Sequence, residues 1–555
     1  MPSVKSPVAR ILDLVKLEKK EITAVYFYAI LNGLIQLSLP LGVQAIVGFV
    51  LGGSMRASLV ILIGLVVAGV LAAGIMQVNQ MKIIEKIQQK IFVRYAFAFA
   101  EHIPRLDLKK TDAIYLPELV NRFFDIPVLQ KSLSKILLEI PTASIQILFG
   151  LILLSFYHPA FILFGLVLIL LLWLILRYTG SSGLQTSLDE SMYKYRVAGW
   201  LEEMARVIKS IKLAKSNSLH LKKTDESVIG YLGARNSHFK ILLFQYNVLV
   251  VFKTIITAAM LIVGTLLLVN QQLNIGQFIA GEIVILLVLN SVEKLIINLG
   301  SVYDTLTSVE KIAKLTDKPI EPNGSIQLTP VEKGLSLEMK EVSFSYNDEK
   351  DILQNVSLQI KSGEKVCISG KDSSGKSTLL RLMAGAYTDF KGAILLDEVP
   401  LGNYDLSSLR SQTGVLLNQQ DIFHGTLWEN ISLGNPSVSL ESVIHCATKA
   451  GLNDFIASLK NGYDTILDPT GKRLPRNVIH KILLVRALSG KPRLLLLEEP
   501  WMNNENGYRR SIMELLDTIK NCTIVVVSND EEFSKRCDKI IQINDGTTKT
   551  IQTAK

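Results

Sequence analysis

The sequence predicts a six-span α-helical transmembrane domain followed by an α/β P-loop domain. Three observations carry that reading. Six stretches are mainly apolar over roughly the 20 residues that a helix needs to cross a bilayer core. Beyond residue 335 the character changes to short apolar strands, glycine turns and helices. Within that part Gly370-x4-Gly375-Lys376-Ser377 follows an apolar strand and precedes a helix, the context a phosphate-cradling loop requires.

The spans are expected at 22–50, 57–78, 136–157, 160–176, 241–268 and 276–299, the third and fourth separated by only His158-Pro159. At 555 residues, 49% hydrophobic and a mean hydropathy of +0.32, the chain is too apolar for an ordinary soluble enzyme and too long for one domain. The net charge of +9 gathers on two long loops, from Lys82 to Lys131 and from Arg177 to Lys240. The opposite loops offer only Arg56. That asymmetry puts the N-terminus, both long loops and the C-terminal domain in the cytoplasm, and it argues against a nucleic-acid role. The four cysteines, Cys367, Cys446, Cys522 and Cys537, lack CxxC spacing and fit a reducing compartment without a disulfide framework.

The expected organisation is an amphipathic elbow at 1–20, facing the membrane lipid, then the six-helix domain at 21–312. A Pro- and Gly-containing linker at 313–334 and the α/β domain at 335–555 complete the chain. The long loops are periodic and helical, and read as extensions of the spans with turning points near 116–126 and 200–203. Lys253 and Glu293 lie at matching depth, about 15 and 17 residues from the outer ends of their spans at 1.5 Å per residue. They are expected to pair or to share a polar cavity, since lone charges in lipid are costly. Glu282 lies nearer the outside.

In the phosphate loop, glycines let backbone N–H groups close around the β-phosphate, and the helix N-terminus adds partial positive charge. Lys376 reaches the β/γ-phosphates, and the Ser377 hydroxyl is placed to ligate Mg²⁺.

With these residues the chain resembles the ATP-binding cassette (ABC) exporters of half-transporter type, and among them those of bacterial toxin and peptide (type I) secretion. The supporting stretches are "FSY" ending at Tyr346, "DILQNVSLQIKSGEKV", the phosphate loop, "DIFHGTLWENI" and "RALSGKPRLLLLEEP". The peptidase-like domain that many such exporters carry is expected to be absent, because the first span starts almost at once. The resemblance implies ATP held by Gly370, Ser373, Ser374, Gly375, Lys376, Ser377 and Thr378, with Tyr346 stacked on adenine. It implies Mg²⁺ near Ser377, Glu498 and Asn418, the last at the position of a Gln that reports nucleotide state; Gln419 is adjacent. It implies Glu499 as the catalytic carboxylate and a location in a bacterial inner membrane. Two such chains dimerise, each ATP lying between one phosphate loop and the partner's LSGGQ-type signature. A periplasmic adaptor is a further candidate partner.

Several positions depart from the family. Leu474-Pro475-Arg476-Asn477-Val478 stands where the signature should be. Pro475 offers neither hydroxyl nor N–H, and Arg476 and Asn477 put side chains where bare backbone meets phosphate. Glu498 is one methylene longer than the usual Asp. Met502-Asn503-Asn504-Glu505 replaces a Ser-Ala-Leu-Asp-like loop. Asn529 replaces a histidine and cannot carry charge. ATP binding is therefore expected to survive better than hydrolysis. Three readings stay open: an exporter with weak hydrolysis, as homodimer or heterodimer; a degenerate subunit regulating a second ABC half-transporter; and a non-transporting membrane ATP sensor.

Overall fold

The computed structural model describes residues 5–53, 57–214, 218–346, 350–467, 474–501 and 506–552. The fold divides into two units. The first comprises Met1–Pro104 and Ile114–Lys318, the second Arg105–Ala113 and Pro319–Lys555.

The first unit is helical. Helix α1 (Pro7–Leu17) starts with Pro at its first turn and Ser6 Oγ accepting from Ala9 N at 3.3 Å, the arrangement expected of a capped N-terminus. The first span is two helices, α2 (Lys19–Gln36) and α3 (Ser38–Leu51), rather than the single run the composition predicts. Pro40 explains the break: it has no N–H to donate to the carbonyl four residues back, at Gln36. Next come α4 (Ala57–His102) and, in the second unit, the short α5 (Leu108–Thr111). Back in the first unit follow α6 (Leu116–Val120), α7 (Asp125–Tyr157), α8 (Phe161–Arg206), α9 (Ile208–Leu213), α10 (Leu219–Val269), α11 (Ile275–Ile297) and α12 (Leu299–Thr316).

Six helical segments are long and apolar enough to cross a membrane, among the described residues. At 46 residues, α4 and α8 each run about 69 Å, twice a bilayer core, so the basic loops are helical extensions of the spans. The first expected turning point, 116–126, lies in the connection between α4 and α7, which runs through Ile103–Arg105, α5, α6 and a 3-10 turn at Asn121–Phe124. Leu119 and Ile126 are buried there and Phe124 is exposed. The chain reverses again after α8, beyond the expected 200–203. Trp200 sits within α8, its Nε1 donating to Thr224 Oγ1 on α10 at 3.1 Å.

Lipid gives apolar helices no hydrophobic reason to associate, so close packing of small residues must supply the contact. A Cβ on Gly33 would meet Ile145 Cγ2 at 2.4 Å, and one on Gly150 would meet Val288 Cγ2 at 2.6 Å. These two glycines let α2 and α11 close on α7. Polar side chains pair off within the helices: Gln245 donates to Thr179 Oγ1 at 2.7 Å and to Tyr303 OH at 3.0 Å. Lys253 Nζ meets Glu293 Oε2 at 2.6 Å, the pair expected from matching depth. Glu282 Oε1 is buried without a hydrogen-bond partner among the described residues.

The second unit is α/β. Strands β1 (Leu337–Phe344) and β2 (Leu353–Ile360) lead to β3 (Lys365–Gly370), the phosphate loop and α13 (Lys376–Met383). The chain continues through β4 (Lys391–Leu396), β5 (Val399–Pro400), α14 (Leu406–Ser411), β6 (Thr413–Leu416) and β7 (Gly425–Thr426). A helical stretch with α15 (Leu427–Ser432), α16 (Leu440–Lys449) and α17 (Asn453–Ser458) leads to β8 (Ile466–Leu467). Then follow α18 (Arg476–Ser489), β9 (Leu494–Glu498), α19 (Asn506–Thr518), β10 (Thr523–Val527), α20 (Glu531–Arg536), β11 (Lys539–Asn544) and β12 (Thr547–Gln552).

The strand orders are β2-β1-β4-β5 and β12-β11-β3-β10-β9-β6, with β7 and β8 pairing separately. Strands β11, β3, β10, β9 and β6 are parallel. Leu494–Leu497 and Thr523–Val527 are wholly buried, as unbroken apolar runs in a doubly covered parallel sheet must be. All four cysteines are free and buried, in agreement with the reading against disulfides.

The Lys253–Glu293 pair generates a test. Lys253→Met should lower the yield of folded protein and its thermal midpoint in detergent, because a stranded charge at a helix centre costs about 2.5–3.5 kcal/mol. The exchanged pair, Lys253→Glu with Glu293→Lys, should recover most of the loss.

Candidate functional site

Strand register assembles the site. Val527 at the end of β10 is level with Glu498 at the end of β9, and β3 beside β10 runs straight into the phosphate loop. The C-terminal ends of adjacent parallel strands therefore deliver Gly370–Ser377, Glu498-Glu499 and Ser528-Asn529 to one edge, where open α/β sheets bind ligands. A cavity of about 360 Å³ lies there, lined among others by Ser373, Gly375, Lys376, Ser377, Thr378, Asn418, Glu498 and Glu499.

The loop has the backbone its glycines predict. Gly375 has φ +102, and Ser373 is also left-handed at φ +61. Lys376 Nζ donates to the carbonyls of Gly370 (2.7 Å) and Lys371 (2.6 Å). Ser374 Oγ is buried with no hydrogen-bond partner among the described residues. An unmatched hydroxyl and a lysine resting on loop carbonyls, at the start of α13, fit an anionic ligand with several acceptor oxygens.

Glu498 is the junction of the site. It is 6% exposed; its Oε1 accepts from Ser377 Oγ and its Oε2 from Asn418 N at 2.9 Å. The extra methylene is absorbed by direct contact with the Ser377 hydroxyl. These are hard oxygen donors at one point, the chemistry a magnesium ion requires. Asn418 takes part through its backbone amide rather than its side chain, a refinement of its expected place near a metal.

Glu499 has φ +43, a left-handed conformation unusual for a side chain of its size. Its Oε2 accepts a long hydrogen bond from Ser528 Oγ at 3.4 Å. Burial holds its carboxyl above the usual range, with Ser528 and Lys376 pulling it back. Asn529 reaches the loop: its Oδ1 accepts from Gly370 N at 3.0 Å. Tyr346 does not line the cavity; its hydroxyl lies 3.0 Å from Thr378 Oγ1 and accepts from Arg381 at 3.2 Å. Ser528, which reaches Glu499, was not legible as a site residue, because it belongs to no spaced motif.

Leu474 and Pro475 precede α18, and none of Leu474–Val478 lines this cavity. Pro475 is the N-cap and gives no side-chain hydrogen bond. The Val478 amide is already engaged, donating to Asn477 Oδ1 at 2.9 Å and Pro475 O at 3.0 Å. Arg476 and Asn477 are exposed. Further along α18, His480 Nε2 lies 3.1 Å from Pro500 O, tying this helix to the segment after Glu499. Residues Met502–Glu505 lie outside the described residues.

Comparison with known proteins gives concordant matches. Residues 22–292 match the ABC transporter transmembrane region, and residues 353–502 the ABC transporter domain. The alpha-hemolysin translocation ATP-binding protein HlyB of Escherichia coli O157:H7 is 30% identical over 353 residues, 62% of this chain and 49% of that protein. The cyclolysin secretion/processing ATP-binding protein CyaB of Bordetella pertussis is 29% identical over 327 residues, 58% of this chain and 45% of its own length. The chain thus spans about half the length of these curated relatives. A bacterial Atm1-family ABC exporter with ATP bound superposes with a TM-score of 0.83 at 18% identity, covering 97% of this chain and 96% of that one; that likeness is one of fold.

The Glu498 junction is testable without activity. Ser377→Ala removes one of two donors to a buried carboxylate and should destabilise the nucleotide-free protein by about 1–3 kcal/mol. The thermal midpoint of the second unit should fall, while Ser377→Thr should hold it near wild type.

Proposed function

Because the chain carries both the transmembrane region and the nucleotide-binding domain of the ABC transporter family, we propose that it is an export half-transporter that binds ATP firmly and hydrolyses it slowly on its own. The single observation that carries this is the contrast between two parts of one domain. The phosphate loop is complete and presents an unmatched Ser374 hydroxyl and Lys376. The signature segment has Pro475 as its cap and a Val478 amide satisfied from within.

ABC exporters of half type work as dimers. In the assembly proposed here, Lys376 and the loop amides hold the β- and γ-phosphates, and Ser377 and Glu498 hold Mg²⁺. The ion, when bound, neutralises phosphate charge. Glu499 orients and deprotonates the attacking water, with Ser528 steadying its carboxylate. Asn529 supplies a neutral contact where the family has a histidine. Phosphoryl transfer depends on positioned charge, so losing the signature donors opposite the γ-phosphate slows it more than it weakens binding. The same contrast supports pairing with a second half-transporter whose signature is intact: such a partner completes the Lys376–Glu499 site, while the other site holds ATP as a clamp. The membrane is assigned as the bacterial inner membrane, with both termini and the nucleotide domain cytoplasmic, on the Lys and Arg of the long loops. The relatives' names make protein toxins the model for a peptide-like cargo.

Purified chain should show slow ATP turnover. Restoring the signature with Pro475→Ser, Arg476→Gly, Asn477→Gly and Val478→Gln should raise it by about 10²-fold, the value of one such donor. Lys376→Ala should abolish both activities. Fast turnover by the unmodified chain, or no gain on repair, counts against the reading. In the repaired protein the acid limb of the pH profile should sit above the ordinary glutamate range. Burial raises the Glu499 carboxyl, so the base is protonated, and activity lost, before a solvent-exposed Glu would be. Glu499→Gln should be inactive at every pH while still binding ATP.

A further inference from the structure

Helix α11 carries a face of Ile283, Leu287, Asn290 and Lys294, at the three- and four-residue spacings that align side chains. Gln36 on α2, Gln146 on α7, and Asn290, Ser291 and Lys294 border a cavity of about 380 Å³. These groups are linked. Gln36 donates to Asn32 Oδ1 at 3.2 Å, Gln146 donates to Gln36 Oε1, and Ser291 Oγ donates to Gln146 Oε1 at 2.7 Å. No carboxylate borders the cavity. The acids nearby are engaged elsewhere: Glu293 pairs with Lys253 at 2.6 Å, and Glu139 accepts from Asn298 at 2.6 Å. Glu282 is 12 residues from Lys294 along the helix, a rise of about 18 Å. Lys294 is exposed, with no ion-pair partner among the described residues.

A second cavity, of about 560 Å³, opens at the other end of α11, where Gln44 on α3 and Asn274 at the helix cap supply the polar groups. Asn274 and Lys294 are 20 residues apart, so the polar positions extend over about 30 Å.

We propose that this track is a cargo-binding surface, and that Lys294 selects an extended peptide bearing a carboxylate at its cytoplasmic-side end. The proposal rests on the exporter reading above. Amide side chains donate and accept as a peptide backbone does, so the Gln and Asn groups serve any sequence. Lys294, without an ion-pair partner among the described residues, supplies the preference in charge. A lipid headgroup would use the cation and one or two donors; it would leave unused the Gln44 and Asn274 amides at the far end of α11.

The test uses the full chain in zwitterionic nanodiscs without nucleotide. Three 12-residue peptides of one Gly/Ser/Asn backbone, with a neutral dye and three Glu, three Gln or three Lys, are titrated by fluorescence anisotropy. The Glu peptide should bind roughly tenfold more tightly than the Gln peptide. Lys294→Gln should erase that difference, Lys294→Arg should keep it, and Lys294→Glu should favour the Lys peptide. Equal affinities in the wild type, or a Glu preference untouched by Lys294→Gln, overturn the proposal. So does native mass spectrometry in phosphatidylglycerol nanodiscs showing Lys294-dependent lipid retention without Lys294-dependent peptide binding. Binding of a fluorescent ATP analogue is measured on the same samples. Normal nucleotide binding beside failed peptide selection rejects the cargo surface alone, whereas loss of nucleotide binding rejects the exporter reading.

Discussion

The carboxylate of Glu498 holds the nucleotide domain's working edge together. It sits at the end of a fully buried strand and accepts from Ser377 on the phosphate loop and from the amide of Asn418. A buried carboxylate without such donors costs several kcal/mol, so the loop and the segment after β6 are held in place by the need to satisfy it. The same residue therefore ties the phosphate loop, the end of β9 and the segment after β6 together.

Two parts of the nucleotide domain differ in what they leave open to a ligand. The loop half has the glycine backbone, the lysine and an unmatched hydroxyl. The segment 474–478 has a proline cap and a Val478 amide bonded to the neighbouring Asn477 side chain. His480 Nε2, 3.1 Å from Pro500 O, joins α18 to the segment after β9.

Much of this was legible in the sequence because the signals were local. Twenty apolar residues specify a span, and Gly370-x4-Gly375-Lys376-Ser377 specifies a loop. Matching depth pointed Lys253 and Glu293 to a pair or a shared polar cavity, and they pair. Relations set by distant packing escaped notice. The burial of Leu119 and Ile126 depends on helices far away in sequence. The break between α2 and α3 was readable from Pro40, but an apolar run masks it. Within the site, Ser528 reaches Glu499 through a single contact that no spacing announces, and Asn418 donates to Glu498 through a backbone amide that any residue supplies.

The central claim is that this chain grips triphosphate without cleaving it efficiently. The most direct measurement is the identity of the nucleotide retained by nanodisc-embedded protein after incubation with radiolabelled ATP and Mg²⁺, rapid removal of free nucleotide and acid quench. The account predicts near-stoichiometric label recovered as ATP. Recovery chiefly as ADP with steady phosphate release, or no retained nucleotide, would contradict it.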